Sequence, residues 1–197
     1  MIIDFQKDYG LLNSLYQEFN SQKPTYQKAY DYYCGKSDVM VNYPTTDRSN
    51  NKIKDNITKA FVEEEVAYSV GNPVTYVNNG AEKEVVKDID FFLSNINSTL
   101  DIELDTTMKV FGRAYEMHYL NEGEFKAKVC GPLDGIAYIN TEGKVELFLY
   151  FYKKMLDDTV YVDVIDDKFI YKTDENFCTI IEAIPHYFGK IGRASCR

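Results

Sequence analysis

No tryptophan, no CxxC pair and no uninterrupted apolar run of membrane-spanning length occur in this sequence of 197 residues. The four cysteines, Cys34, Cys130, Cys178 and Cys196, stand singly, without the spacing that gathers thiolates around a metal. Without a run of ~18 apolar residues, no membrane-spanning helix is expected. The opening MIIDFQKDYG lacks the basic and apolar regions of a secretory leader, so an intracellular chain with free thiols is expected. Two matches to the glycosylation acceptor, at Asn56 and Asn97, are idle in such a compartment. GxGxxG, the P-loop GxxxxGK, HExxH and GxSxG are all missing, so no dinucleotide, nucleotide-phosphate, zincin or hydrolase signature is present. Positive charge is scarce: 31 acidic against 22 basic residues leave a formal net charge of -9. Such a chain repels phosphate backbones at long range and is not expected to grip nucleic acid, although it can lie near DNA without holding it.

What is present suits one domain with a real core. Hydrophobic residues make up 45% of the chain, and a chain this long buries roughly 70% of its unfolded surface. The 17 tyrosines fit half-buried sheet positions better than an interface. Leu11, Leu12, Leu15, Tyr16 and Phe19 recur at helical spacing. A second helix is expected over 24–33, with Ser21 near its start, Pro24 in its first turn and Gly35 at its end. Its stripe of Tyr26, Ala29, Tyr30 and Tyr33 reads as core packing. Residues 36–52 form a long polar loop. Two more helices lie within 82–111, broken at 95–98, with Ser98 or Thr99 capping the second and Gly112 ending it. The hydrophobic period then falls to two. Strands are expected over 113–120, 125–130, 135–140, 145–154, 160–165, 169–173 and 178–181, with hairpin turns between them. Helices first and strands second is an α+β order, with a mainly antiparallel sheet.

Residues 50–76 organise the helical half. A polar loop leads into an amphipathic helix capped by Asn51 or Asp55, ended by Gly71 in a left-handed conformation and barred from continuing by Pro73. A turn at Asn72-Pro73 leads to a β-type run over 74–77. On a wheel of about 100° per residue, Ile53, Ile57, Ala60, Phe61, Ala67 and Tyr68 share one face, which is expected to pack inward. Glu64 interrupts that stripe. Buried alone it is costly, so it is expected to meet a lysine of the same chain or to sit at the stripe's wet edge, with a neighbouring subunit as the alternative.

Candidate chemistry is sparse. Asp88/Asp90, Asp157/Asp158 and Asp166/Asp167 are carboxylate pairs of the type Mg²⁺ uses, but adjacent acids on a strand point apart, and Asp166/Asp167 reads as a hairpin turn. His118 and Glu116 share a strand face and could exchange a proton; a half-buried histidine with a local carboxylate is the preferred reading. His186 follows Pro185 with no second ligand nearby. Cys130 and Cys178 read as apolar core thiols. Lys126 and Lys128, on one strand face, make a weak phosphate patch. No catalytic, cofactor-binding or metal-ligating residue is assigned, and no enzyme is expected.

Four stretches taken in order resemble a known family. They are Tyr32-Tyr33-Cys34-Gly35-Lys36, Asn50-Asn51-Lys52-Ile53 with Tyr68-Ser69-Val70-Gly71-Asn72-Pro73-Val74-Thr75-Tyr76, then Phe111-Gly112-Arg113-Ala114-Tyr115-Glu116, and Ile184-Pro185-His186-Tyr187-Phe188-Gly189-Lys190. Together they are similar to the portal proteins of tailed bacteriophages, in the siphophage branch of Gram-positive hosts. The resemblance implies a structural subunit of a head–tail connector ring of about twelve copies, through which DNA enters and leaves the capsid. It implies terminase, capsid or scaffold and head-completion proteins as partners, residence at the virion's portal vertex, and host cytoplasm during assembly. Residues 1–190 would then be the N-terminal wing region of such a protein, open-ended, with stem, clip and channel segments beyond. Residues 191–197, IGRASCR, fit no element and resemble a translated sequencing adapter; the family pattern has proline where Gly192 stands. The alternatives are a small acidic intracellular interaction domain that forms no ring and, behind it, a carboxylate-based metal hydrolase.

Overall fold

The computed structural model describes residues 2–38, 55–72, 74–77, 79–80, 83–94, 96–186 and 194–195. Among the described residues, the helices set out ahead of the sheets are α1 (Tyr9–Tyr33), α2 (Ile57–Val70), α3 (Lys83–Ser94) and α4 (Leu100–Phe111). The strands are β1 (Ala114–Asn121), β2 (Glu124–Cys130), β3 (Gly135–Ile139), β4 (Val145–Lys153), β5 (Val160–Ile165), β6 (Phe169–Asp174), β7 (Ile180–Pro185) and β8 (Ala194–Ser195). Strands β3 to β7 form a five-stranded antiparallel meander, and β2-β1-β8 form a smaller antiparallel sheet. The expected α+β order is the observed one.

The period of two along β4 explains how the layers stack. Leu147, Leu149 and Phe151 point to one face of the meander, where with Val162 and Val164 they meet Leu12 and Phe19 of α1. The rings of Phe19 and Phe151 stack with centroids 4.2 Å apart. Phe148 points to the other face, where with Ile165 it meets Tyr115 and Cys130 of the smaller sheet. Fully burying one such side chain stabilises the fold by roughly 1.5–3 kcal/mol. The α1 helix therefore covers one face of the meander and the small sheet covers part of the other.

Helix α1 corrects the expectation of two helices broken near Ser21 and Pro24. It runs unbroken for 25 residues with Pro24 inside it. An interior proline removes one backbone hydrogen bond and costs about 3 kcal/mol. Contacts on both sides offset that cost. Leu12 and Phe19 dock on the meander, while Tyr26 and Tyr30 lie 6.1 and 6.2 Å from the Phe111 ring of α4. Gly35 ends the helix as expected, with φ 76°, and the Lys36 amide returns to the Asp31 carbonyl at 2.7 Å.

Helix α2 departs further from expectation. Its cap is Asn56, whose side chain accepts from the Lys59 amide at 3.1 Å, rather than Asn51 or Asp55. Asn56 is also tied to the end of α1, donating from Nδ2 to the Tyr33 carbonyl at 2.8 Å, which fixes where α2 begins. Gly71 is right-handed, with φ -65° and ψ -19°. Glycine is required there by close approach, since a Cβ would fall 2.1 Å from the Ala67 carbonyl oxygen. Residues 74–77 adopt no regular structure where a β-type run was expected. Residues 39–54, which include Asn51, Ile53 and most of the loop expected over 36–52, lie outside the described residues, as do Pro73 and Asn78.

In the rest of the chain, α3 and α4 break where expected, and Gly112 closes α4 in the left-handed region. Thr99 occupies the cap position, but its hydroxyl bonds Glu103 Oε1 at 2.6 Å instead of a backbone amide. The last meander strand starts at Ile180, two residues later than expected. Asp174 Oδ1 accepts from the Cys178 amide, and Phe177, buried with φ 56°, takes the chain through a turn first. Ala194 and Ser195, expected to join no element, pair with Tyr115 and Ala114 of β1.

Candidate functional site

The carboxylate pairs do not converge. Asp88 and Asp90 lie exposed on α3. Asp166 is fully buried, with Oδ1 accepting from the Lys168 and Phe169 amides at 2.7 Å and Oδ2 from the Ile3 amide at 3.0 Å. It is a turn residue, as expected, and it also ties down the first residues of the chain. Among the described residues, no group of three or more His, Cys, Asp or Glu is gathered to hold a metal ion, and no helix is long and apolar enough to cross a membrane.

Asp157 braces the turn between β4 and β5. It accepts from the Thr159 amide at 2.9 Å and from the Tyr161 hydroxyl at 2.7 Å, and hydrogen bonding from Thr159 and Tyr161 lowers its carboxyl pKa to about 2. Beside it, Lys154 Nζ lies 4.0 Å from the centroid of the Tyr161 ring, a cation–π contact.

His118 and Glu116 do share a face, with Nε2 2.8 Å from Oε1. The hydrogen bond with His118 holds the Glu116 carboxyl below its ordinary range, against the opposing effect of burial. Glu116 also opens onto a groove of about 350 Å³ lined by Val74, Tyr76, Leu93 and Leu100. His186 turns its ring back onto the Asp166 carbonyl. Burial pushes the Cys130 thiol up to about 11. Cys178 is exposed rather than in the core, because its turn swings it outward. Lys126 pairs with Glu124 of its own strand at 3.1 Å, and Lys128 reaches across to the meander, 3.9 Å from the Tyr150 ring centroid, so both are engaged within the fold.

One polar seam joins α2 to α4. The Ser69 hydroxyl donates to Asp105, a buried carboxylate that also faces Lys109 at 3.7 Å, and Lys109 reaches Glu65 at 3.1 Å. The inward face of α2 is therefore Val62, Val66, Ser69 and Val70. The stripe expected to face inward points out: Ile57 is 56%, Phe61 64% and Tyr68 95% exposed. Glu64 is exposed along with them, so burial of its charge does not arise within the subunit.

A second apolar surface was not anticipated from the sequence. At the tip of the β4–β5 hairpin, Met155 and Leu156 are 93% and 102% exposed. Leu156 holds φ 65°, which a non-glycine residue adopts only under constraint. Its signal in the sequence is an apolar pair set between Lys153-Lys154 and Asp157-Asp158, where a turn has no core to fill.

The described geometry contains no convergent catalytic group. Its distinctive features are outward apolar surfaces on a layered α+β body. The sequence matches the family described as "Phage portal protein, SPP1 Gp6-like" over residues 12–192. The chain belongs to that phage portal protein family. No curated protein matches it.

Proposed function

We propose that this chain is a structural subunit of a head–tail connector ring, through which DNA is packaged into a phage capsid and later ejected. The family match over residues 12–192 carries the reading. The motif order further favours the siphophage branch of Gram-positive hosts, with these residues forming the N-terminal wing region. In this reading the protein is not an enzyme. Its first partner is itself, in a ring of about twelve copies; terminase, capsid or scaffold and head-completion proteins follow. DNA passes the ring without sequence-specific binding, which suits a net charge of -9. The protein would act at the portal vertex of the virion after assembly in host cytoplasm. Native mass spectrometry and negative-stain imaging test the proposal. Closed rings of a single stoichiometry are expected, and a chain that stays monomeric at every concentration and salt refutes it.

A further inference from the structure

The turn between β5 and β6 holds two segments that lie far apart in the chain. Asp166 is fully buried there, and all three of its oxygens accept hydrogen bonds. Oδ1 closes the turn itself, taking the Lys168 and Phe169 amides at 2.7 Å. Oδ2 takes the Ile3 amide at 3.0 Å, two residues before Phe5, whose ring meets Tyr171 edge-on at 5.1 Å. The backbone carbonyl of Asp166 takes the ring of His186. A carbonyl can only accept, so His186 Nε2 carries the proton and donates. Nearby, the Lys168 carbonyl accepts from the His186 amide at 2.9 Å. These two bonds matter because the end of β7 has little else to hold it. β7 is the outer strand of the meander, and its residues are exposed throughout. Its last residue, Pro185, faces Phe169 across the ladder but has no N–H to donate. The Phe169 carbonyl is taken by the Asp166 amide at 3.0 Å. Among the described residues, His186 therefore fastens this end of the strand.

We infer that the β5–β6 turn is a latch that couples the end of β7 to the seat of α1 on the meander. Ile3 is buried in the same core cluster as Leu12 and Phe19 of α1, so the Asp166 carboxylate fixes the approach to that helix. The carboxylate and the carbonyl belong to one residue, and a single setting of its backbone must satisfy both bonds. When His186 leaves, the peptide after Asp166 is free to turn, and the carboxylate loses the aim that serves Ile3. Such coupling is reciprocal, so displacement of Ile3 loosens His186 by the same factor. An exposed outer strand with few buried apolar contacts opens ahead of the rest of a fold. β7 is therefore the input of the latch and α1 its output. Whatever displaces Pro185 and His186 is felt at the helix that covers the meander. The latch lies within one subunit and operates whether or not the chain forms a ring.

Amide hydrogen exchange of the whole chain, read residue by residue by NMR, tests the latch. His186→Phe keeps an aromatic ring but cannot donate to the Asp166 carbonyl. Exchange at Ile3 is expected to rise by about fivefold, and by more than at Leu149 and Val162 in the centre of the meander. Ile3→Pro removes the amide at the other end of the latch. It is expected to speed exchange at His186 ahead of the same two central amides. Should Ile3→Pro fail to fold, His186→Phe decides alone. An Ile3 rate that stays unchanged in His186→Phe overturns the coupling. So does one that rises by the same factor as Leu149 and Val162, since the variant would then act only on global stability.

Discussion

Replacing Asp166 removes three backbone hydrogen bonds at a site with no access to water. Asp166→Ala strands the Ile3 amide, a buried donor whose acceptor lies 163 positions away in sequence. Leaving such a donor unsatisfied costs about 1–3 kcal/mol, and hydrogen bonds to a carboxylate are worth about 1.5–3 kcal/mol each. The Lys168 and Phe169 amides are only partly buried and recover some of their loss in water. The expected total is about 3–5 kcal/mol, a large share of the roughly 5–15 kcal/mol that holds a domain together. With a urea slope near 2 kcal/mol/M, the midpoint should fall by about 1.5–2.5 M. Asp166→Asn separates the two halves of the interaction. Its oxygen still serves the turn, but its NH₂ group meets the Ile3 N–H, so a loss of about 1–3 kcal/mol is expected. Amide exchange read by NMR should accelerate at Ile3 in both variants, and at Lys168 and Phe169 in the alanine variant only. An alanine variant that loses less than about 1 kcal/mol, with Ile3 exchange unchanged, would refute the reasoning.

Other perturbations have equally direct readouts. A Cβ on Gly135 would sit 2.6 Å from the Leu149 carbonyl oxygen and 2.7 Å from Phe148 Cζ, so Gly135→Ala should cost about 1–3 kcal/mol by overpacking, measurable by urea titration. Asp163 Oδ1 is buried without a hydrogen-bond donor, and burial raises its carboxyl pKa despite hydrogen bonding from Tyr152. A raised carboxyl pKa means that stability falls as pH climbs from the unfolded value through the folded one. Asp163→Asn should therefore stabilise the fold at pH 7 by on the order of 1 kcal/mol, read as a higher Tm, with the gain vanishing in acid. Glu116 has the opposite sign: its lowered carboxyl pKa contributes stability above its unfolded pKa that is lost as pH falls through the folded one. Removing its partner with His118→Gln should shrink that acid-dependent loss in a series of thermal melts, because the folded pKa returns toward the unfolded one.

The sheet half of the fold was legible because a period of two leaves one choice of face. Leu147, Leu149 and Phe151 alternate with Phe148 and Tyr150, and the β1–β2 and β3–β4 turns carry Gly123 and Gly143. Gly35 and Gly112 were legible for a similar reason, since a left-handed residue after a helix has few alternatives to glycine. Pro24 misled because local propensity weighs one lost hydrogen bond, while packing weighs two anchored halves of a helix. The face of α2 misled for a different reason. A wheel ranks faces by apolarity, and α2 has two, so Ile57, Phe61 and Tyr68 outranked the valines that in fact pack. Nothing local distinguishes an apolar face that its own chain covers from one left to water. The exposed pair Met155 and Leu156 hid for the same reason, as a short apolar interruption within a turn.

The docking of α1 on β4 and β5 also sets an order of events during synthesis. Leu12 and Phe19 leave the ribosome well before Leu147, Leu149, Phe151, Val162 and Val164, the surface that covers them. At roughly 5–20 residues per second, that surface emerges on the order of ten seconds later. Over that interval an amphipathic helix waits with its apolar stripe bare. Such a chain should depend on a holding chaperone more than a local-contact bundle of the same size, and crowding of nascent copies should favour aggregation through that stripe.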